Sequence, residues 1–170
     1  MLDDWRTAYG IQETGLSMII AVGFFTSFVA QLTIAPYADR GHARKLMTVG
    51  MAANAVGALL MAFGASLPAF LLGRFIMGVG AGIAIPAIKR IVIVSDPENM
   101  GGNLGRGVSI EVGGFAIGPV IAALTVDSIN LAAPFILIAV LIAITGVIIA
   151  RLSIAETAIE DRTDERFAID

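Results

Sequence analysis

Five apolar runs, each about 20 residues long, dominate the sequence. Because a helix rises about 1.5 Å per residue, about 20 residues cross a hydrocarbon core of about 30 Å. Runs of this length predict an all-α fold, a polytopic bundle of five transmembrane helices. The predicted spans are residues 15–35, 46–65, 67–88, 108–126 and 131–150.

The composition agrees with a lipid environment and argues against several functions. The chain is 57% hydrophobic and 15% charged, with no Cys and one His. These counts leave no disulfide framework and no thiolate metal site, and a Ser-His-Asp triad would have to use His42. We therefore expect no enzyme activity, no cofactor and no bound metal. With 14 acidic against 11 basic residues, nucleic acid is not an expected partner.

The connections between the runs predict the topology. Residues 36–45, 66 and 127–130 are short enough to force antiparallel hairpins, and residues 89–107 are expected to form only a loop. One side of the membrane then holds seven basic residues and the other holds only Arg6. The seven are Arg40, Arg44, Lys45, Lys89, Arg90, Arg106 and Arg151.

The positive-inside rule places the side with seven bases in the cytoplasm. This predicts a multi-pass protein of the cell membrane, either a plasma membrane or a bacterial inner membrane. Residues 1–14 become an extracytoplasmic leader, residues 15–151 the transmembrane bundle, and residues 152–170 an acidic cytoplasmic tail. The tail is expected to be solvated, because six of the 14 acids lie in the last 15 residues.

The connection after the first span contains one acid among several bases. Asp39 precedes Arg40, and Arg44 and Lys45 follow shortly after. A carboxylate near the lipid interface is costly unless it is paired, and Arg40, Arg44 or a helix N-terminus could pair with it. Membrane anchoring explains the bases but does not require the acid. We therefore expect these four residues to form a latch between helices.

This connection resembles the loop between helices two and three of the major facilitator superfamily. The family pattern is Gly-x-x-x-Asp-Arg-x-Gly-Arg-Arg/Lys, and Asp39, Arg40 and Arg44 match it. Ala35 and His42 stand at its two glycine positions. The resemblance implies a loop that stabilises one conformational state of a transporter.

One arginine, Arg74, lies inside the third predicted span. It follows Pro68 by six residues, about 9 Å along the helix, where an unpaired guanidinium costs about 2 to 3 kcal/mol. Arg74 either extends to the membrane surface or faces the bundle in a functional role. Residues 74–78 resemble the fourth-helix pattern Arg-x-x-x-Gly of the superfamily, which implies proton coupling. Gly78 and Gly82 form a small-x-x-x-small pair that predicts close contact with a neighbouring helix.

The fourth predicted span contains a series of glycines that ends in a proline. Gly105, Gly114, Gly118 and Pro119 predict a helix that packs closely against a neighbour and bends. They resemble the fifth-helix pattern Gly-x8-Gly-x3-Gly-Pro-x2-Gly-Gly of the superfamily. The resemblance implies the branch that exports solutes in exchange for protons.

Glu111 lies about one turn inside the same span, and two interpretations of it stay open. It is either a proton carrier or a structural partner for a base such as Arg106. The family patterns do not specify an acid at this position.

The five spans resemble helices two to six of a twelve-helix transporter. Helix one and the C-terminal six-helix half would then be missing partners, and five helices cannot form the substrate path alone. We expect a fragment of a proton-coupled exporter that moves small amphiphilic or drug-like solutes across the bilayer. Two alternatives are an uptake carrier of the same superfamily and a truncated membrane protein that does not transport.

Overall fold

The structure is a computed structural model that describes residues 2–151, with side chains from residue 6 to residue 149. The described chain is mostly helical and contains no strand, which confirms the predicted all-α fold. The tail at residues 152–170 lies outside the described residues. The elements are α1 (Leu2–Tyr9), α2 (Glu13–Thr33), a 3-10 helix (Ala35–Ala38), α3 (Ala43–Phe63), α4 (Leu67–Ser95), α5 (Met100–Ser128) and α6 (Ala133–Arg151).

Four helices, α2 to α5, are long and apolar enough to cross a membrane, and α6 has a shorter apolar stretch, Ala133–Ile149. α4 and α5 have 29 residues each, about 43 Å at 1.5 Å per residue, which exceeds the hydrocarbon core. Each helix is therefore longer than a perpendicular crossing requires, so it tilts or extends beyond the lipid.

The prediction that residues 89–107 form a loop is wrong, because only residues 96–99 separate α4 from α5. The predicted third span ends before Lys89 and the fourth begins just after Arg106 and Gly107, yet a helix keeps its backbone hydrogen bonds after it leaves the lipid. Pro86 lies inside α4, nine residues before its end at Ser95.

α4 lies at the centre of the bundle, between α3 and α2. Toward α3, the contacts are between glycines: a Cβ on Gly50 would lie 2.7 Å from the carbonyl oxygen of Gly80, and one on Gly57 would lie 2.7 Å from that of Gly73. No real side chain fits at such distances without a shift of the helices. The absence of side chains thus lets the two backbones touch.

Two apolar clusters lie at opposite ends of the bundle. One surrounds Phe70, which is fully buried and contacts the ring of Tyr9 edge-on at 5.0 Å between centroids. The other surrounds Ala87 and includes Ala38 of the 3-10 helix and Ala43 at the start of α3. We call this second end the basic end. It holds Arg40, Arg44, Lys45, Lys89, Arg90 and Arg106.

α5 differs from the other long helices, because none of its residues is buried. Its large apolar side chains are open: Ile110 is 76% exposed and Phe115 is 70% exposed. Only limited contacts join it to α4 and to α6. The described chain therefore consists of a packed unit, α2 to α4 with α6 against α3, and one helix beside it.

Candidate functional site

The carboxylate of Asp39 pairs with α4. Arg90 Nε lies 3.3 Å from Asp39 Oδ1 in an ion pair across the basic end. The guanidinium of Arg40, one of the two expected partners, lies over the ring of Tyr37, 4.9 Å from its centroid. The ion pair joins the connection between α2 and α3 to α4, so it links helices as a latch would.

The backbone of the connection presents Asp39 at its surface. Pro36 lies in the first turn of the 3-10 helix, where its missing N–H is tolerated, and Ala38 is buried against Ala87 of α4. Gly41 has a φ of +83°, in the left-handed region that favours glycine. The glycine of the family pattern falls one residue later, at His42, so Gly41 supplies the turn in this chain.

The next base on α4 contacts a different neighbour. Lys89 Nζ lies 3.4 Å from Glu111 Oε2, and both side chains are nearly half exposed. Arg106, the base suggested as a partner for Glu111, is exposed. The adjacent residues Lys89 and Arg90 therefore connect α4 to α5 and to the Asp39 connection, respectively.

A cavity of about 250 Å³ lies between α4 and α5 beside this ion pair. Apolar side chains line most of it, and the polar groups of Lys89, Glu111 and Asn103 are at its margin. Glu111 is thus partly exposed and paired with a base, which fits the structural interpretation of this residue better than that of a buried proton carrier.

Arg74 and Glu111 are not close together. Glu111 contacts Lys89, and 15 residues of α4 separate Lys89 from Arg74, which is about 22 Å along the axis. The two predicted proton-coupling residues therefore belong to different ends of the bundle and cannot form one ion pair.

Arg74 extends over α2. Its side chain is half-buried, and its Nε, Cγ and Cδ atoms lie close to Gly23 of α2. Among residues with described side chains, 6–149, no carboxylate forms an ion pair with it. The guanidinium thus faces a neighbouring helix without an anionic partner in that part of the chain.

The predicted glycines fall into two groups. A Cβ on Gly78 would collide with the backbone of Gly23 and the hydroxyl of Thr26, and one on Gly82 would collide with the carbonyl of Ser27. These two glycines thus lie directly against α2. By contrast, nothing lies within 4 Å of a Cβ built on Gly105, Gly114 or Gly118.

The turn between α4 and α5 contains a polar cluster that the sequence analysis did not identify. Asp96 accepts hydrogen bonds from the side-chain amides of Asn103 at 3.0 Å and of Asn99 at 3.2 Å. These bonds, the one from Asn103 first, lower the pKa of the Asp96 carboxyl. The cluster fixes the start of α5 to the end of α4.

The contacts of Arg90 and Gly23 likewise have no signal in the sequence. The sequence places Arg90 among the predicted cytoplasmic bases and indicates no partner for it. Its partner, Asp39, is far away in the chain, whereas the acid nearest in sequence, Asp96, does not contact it in an ion pair. Gly23 is one of 19 glycines, and its contact with Arg74 depends on how α2 packs on α4. No local signal marks either contact.

Comparison with known families gives one match. The model of the Major Facilitator Superfamily matches residues 1–167, nearly the whole chain. The chain belongs to the major facilitator superfamily. Membership in this family of membrane transporters agrees with the membrane-length helices of the bundle. No curated protein and no solved structure matches the chain.

Proposed function

We propose that this superfamily member exports small amphiphilic or drug-like solutes in exchange for protons, as part of a complete transporter. The observation that carries the proposal is Arg74, a half-buried arginine inside the apolar part of α4. Placing such a charge in lipid costs about 2 to 3 kcal/mol, so intramembrane charges usually have a function. The series Gly105, Gly114, Gly118 and Pro119 supports export through its resemblance to the antiporter pattern.

Arg74 would act as a fixed positive charge. An arginine keeps its proton at all physiological pH values, so it would couple to protons by attracting a carboxylate or an anionic group of a solute. When that partner is protonated, the attraction weakens and the helices are free to change position. In this proposal Glu111 has the structural role of holding α5 to α4.

The basic end would serve as the latch of the alternating-access cycle. Arg90 holds the Asp39 connection and Lys89 holds α5, so one short segment of α4 reaches two elements that flank it. Ion pairs with exposed side chains are worth about 1 kcal/mol or less. Such weak pairs can open during each cycle, as a latch must.

A mutation tests the latch directly. We expect Asp39→Asn to reduce transport several-fold without removing the protein from the membrane, because the amide cannot pair with Arg90. The exchange of charges, Asp39→Arg with Arg90→Asp, should restore part of the activity. Wild-type transport by Asp39→Asn would contradict the latch.

The direction of transport needs a separate experiment. Counterflow in vesicles under an imposed pH gradient should show solute leaving the cytoplasmic side as protons move the other way. If the pH gradient instead drives the solute in the same direction as the protons, the chain belongs to an uptake carrier. If neither occurs in the complete protein, the non-transporting alternative is correct.

We also propose that the basic end faces the cytoplasm in a cell membrane, with residues 152–170 on the same side. The uneven distribution of bases supports this orientation. The chain has no Cys, so single cysteines at His42 and at the exposed Gln12 can report sidedness to an impermeant maleimide. In intact cells we expect labelling only at position 12; labelling only at position 42 would reverse the orientation.

A further inference from the structure

A glycine of α2 lies directly beneath the Arg74 side chain. Gly23 is buried, and a Cβ built on it would lie 2.7 Å from Arg74 Nε, 3.0 Å from Cγ and 3.1 Å from Cδ. Three atoms of one side chain therefore occupy the space that any other residue at position 23 would need. The arginine can lie across α2 because α2 has no side chain there.

The surrounding packing leaves little freedom to either residue. One turn along α4 from Arg74, Gly78 lies against the carbonyl of Gly23 and the hydroxyl of Thr26. That hydroxyl donates to the carbonyl of Val22 at 2.8 Å and lies 3.4 Å from the carbonyl of Phe75, on α4. Since the two backbones already touch, the helices cannot separate to make room for a side chain at position 23 without losing this contact.

We propose that Gly23 is a positioning residue for Arg74: the bare backbone of α2 sets where the guanidinium lies, and a larger side chain redirects it. This inference rests on the coupling role proposed for Arg74. The effect should increase with the size of the substituent. A methyl group meets a flexible side chain that can move by a few tenths of an ångström, whereas the branched side chain of valine requires a new rotamer.

A thiol placed at position 23 tests the contact itself. In the variant Gly23→Cys, the sulfur would lie within a few ångströms of the Arg74 side chain, and a nearby positive charge favours the reactive thiolate. We expect a membrane-permeant maleimide to react with it at a pH roughly one unit lower than in the variant that also has Arg74→Gln. Identical pH profiles of the two variants would overturn the proposed contact.

A control separates this effect from general helix packing. Gly82 lies in the same α2–α4 contact but faces Ser27 and Ala30, two turns from Arg74. The thiol of Gly82→Cys should react with the same pH profile whether or not Arg74→Gln is present. If Arg74→Gln shifts the pH profile of thiol reactivity equally at both positions, the charge of Arg74 acts over a long range, and this result would overturn the positioning role of Gly23.

Transport by the complete protein tests the consequence. We expect Gly23→Val to change the pH dependence of transport in the same direction as Arg74→Gln. The variant with both substitutions should have the same transport rate and pH dependence as Arg74→Gln alone. Gly82→Ala should lower the yield of folded protein without changing the pH profile. Additive effects of Gly23→Val and Arg74→Gln would show that Gly23 acts only through packing and would overturn the proposal.

The two proposals fail in different ways. If the thiol at position 23 responds to Arg74→Gln while transport keeps its pH dependence in that variant, the contact stands and the coupling role of Arg74 is wrong. If Arg74→Gln abolishes the pH dependence but the thiol does not respond to it, the coupling role stands and the positioning role of Gly23 is wrong.

Discussion

α4 and α5 are alike in sequence and different in structure. Each has 29 residues and an internal proline, and the mean hydropathy of their most apolar windows is 1.8 and 1.7. Yet 44% of that window is buried in α4 and 0% in α5. Length and hydropathy therefore predict that a helix enters the membrane, but they do not predict whether it packs within this chain.

The physical reason lies in the membrane as a solvent. Lipid tails are as apolar as leucine, so an exposed apolar helix pays no hydrophobic penalty there, and helices associate only where their surfaces fit. The glycines of α4 meet complementary backbone on α2 and α3. Those of α5 meet open space.

The largest expected effect is on the packed glycines. Gly80→Val should destabilise the bundle by about 1 to 3 kcal/mol, because its Cβ would lie 2.6 Å from the carbonyl oxygen of Gly50. The matched variant Gly113→Val, on the open helix, should change the stability by less than about 0.5 kcal/mol. Thermal unfolding followed by circular dichroism in detergent measures both. Equal losses would remove the distinction between the two helices.

A smaller effect is expected at the ion pair that holds α5. Lys89→Gln and Glu111→Gln should each weaken the attachment, and a double-mutant cycle should give a coupling of about 1 kcal/mol or less, because both side chains are partly exposed. The coupling energy should decrease at high salt, because salt screens the two charges. A coupling energy of zero would mean that the ion pair does not hold α5, and that only the turn and the apolar contacts attach it to α4.

The smallest effect is a pH dependence at the turn between α4 and α5. Because hydrogen bonds lower the pKa of Asp96, the cluster is fully stabilising above the ordinary carboxyl pKa of about 3.9 and weakens as the pH falls through the lowered value. NMR signals of the Asn99 and Asn103 side-chain amides should therefore change only in acid. Asp96→Asn should abolish this change in the amide signals. If the signals still change in acid in that variant, a group other than Asp96 causes the change.

The sequence predicted the class of fold because lipid imposes a strict rule on helix length and composition. It did not predict the helical ends of α4 and α5, since a run of apolar residues marks the lipid and not the helix. Asp39 and Arg74 stood out as charges in unusual places. Their contacts, Arg90 and Gly23, come from other helices and follow from three-dimensional packing alone.

α4 is fixed to α3, whereas α5 is held only weakly. Pairs of spin labels can measure this difference, since the chain has no cysteine of its own. We would label Leu59 of α3 with Leu72 of α4, and Leu72 with Leu124 of α5, all of which are exposed. We expect a narrow distance distribution for the first pair and a clearly broader one for the second; equally narrow distributions would show that α5 is held as firmly as α4.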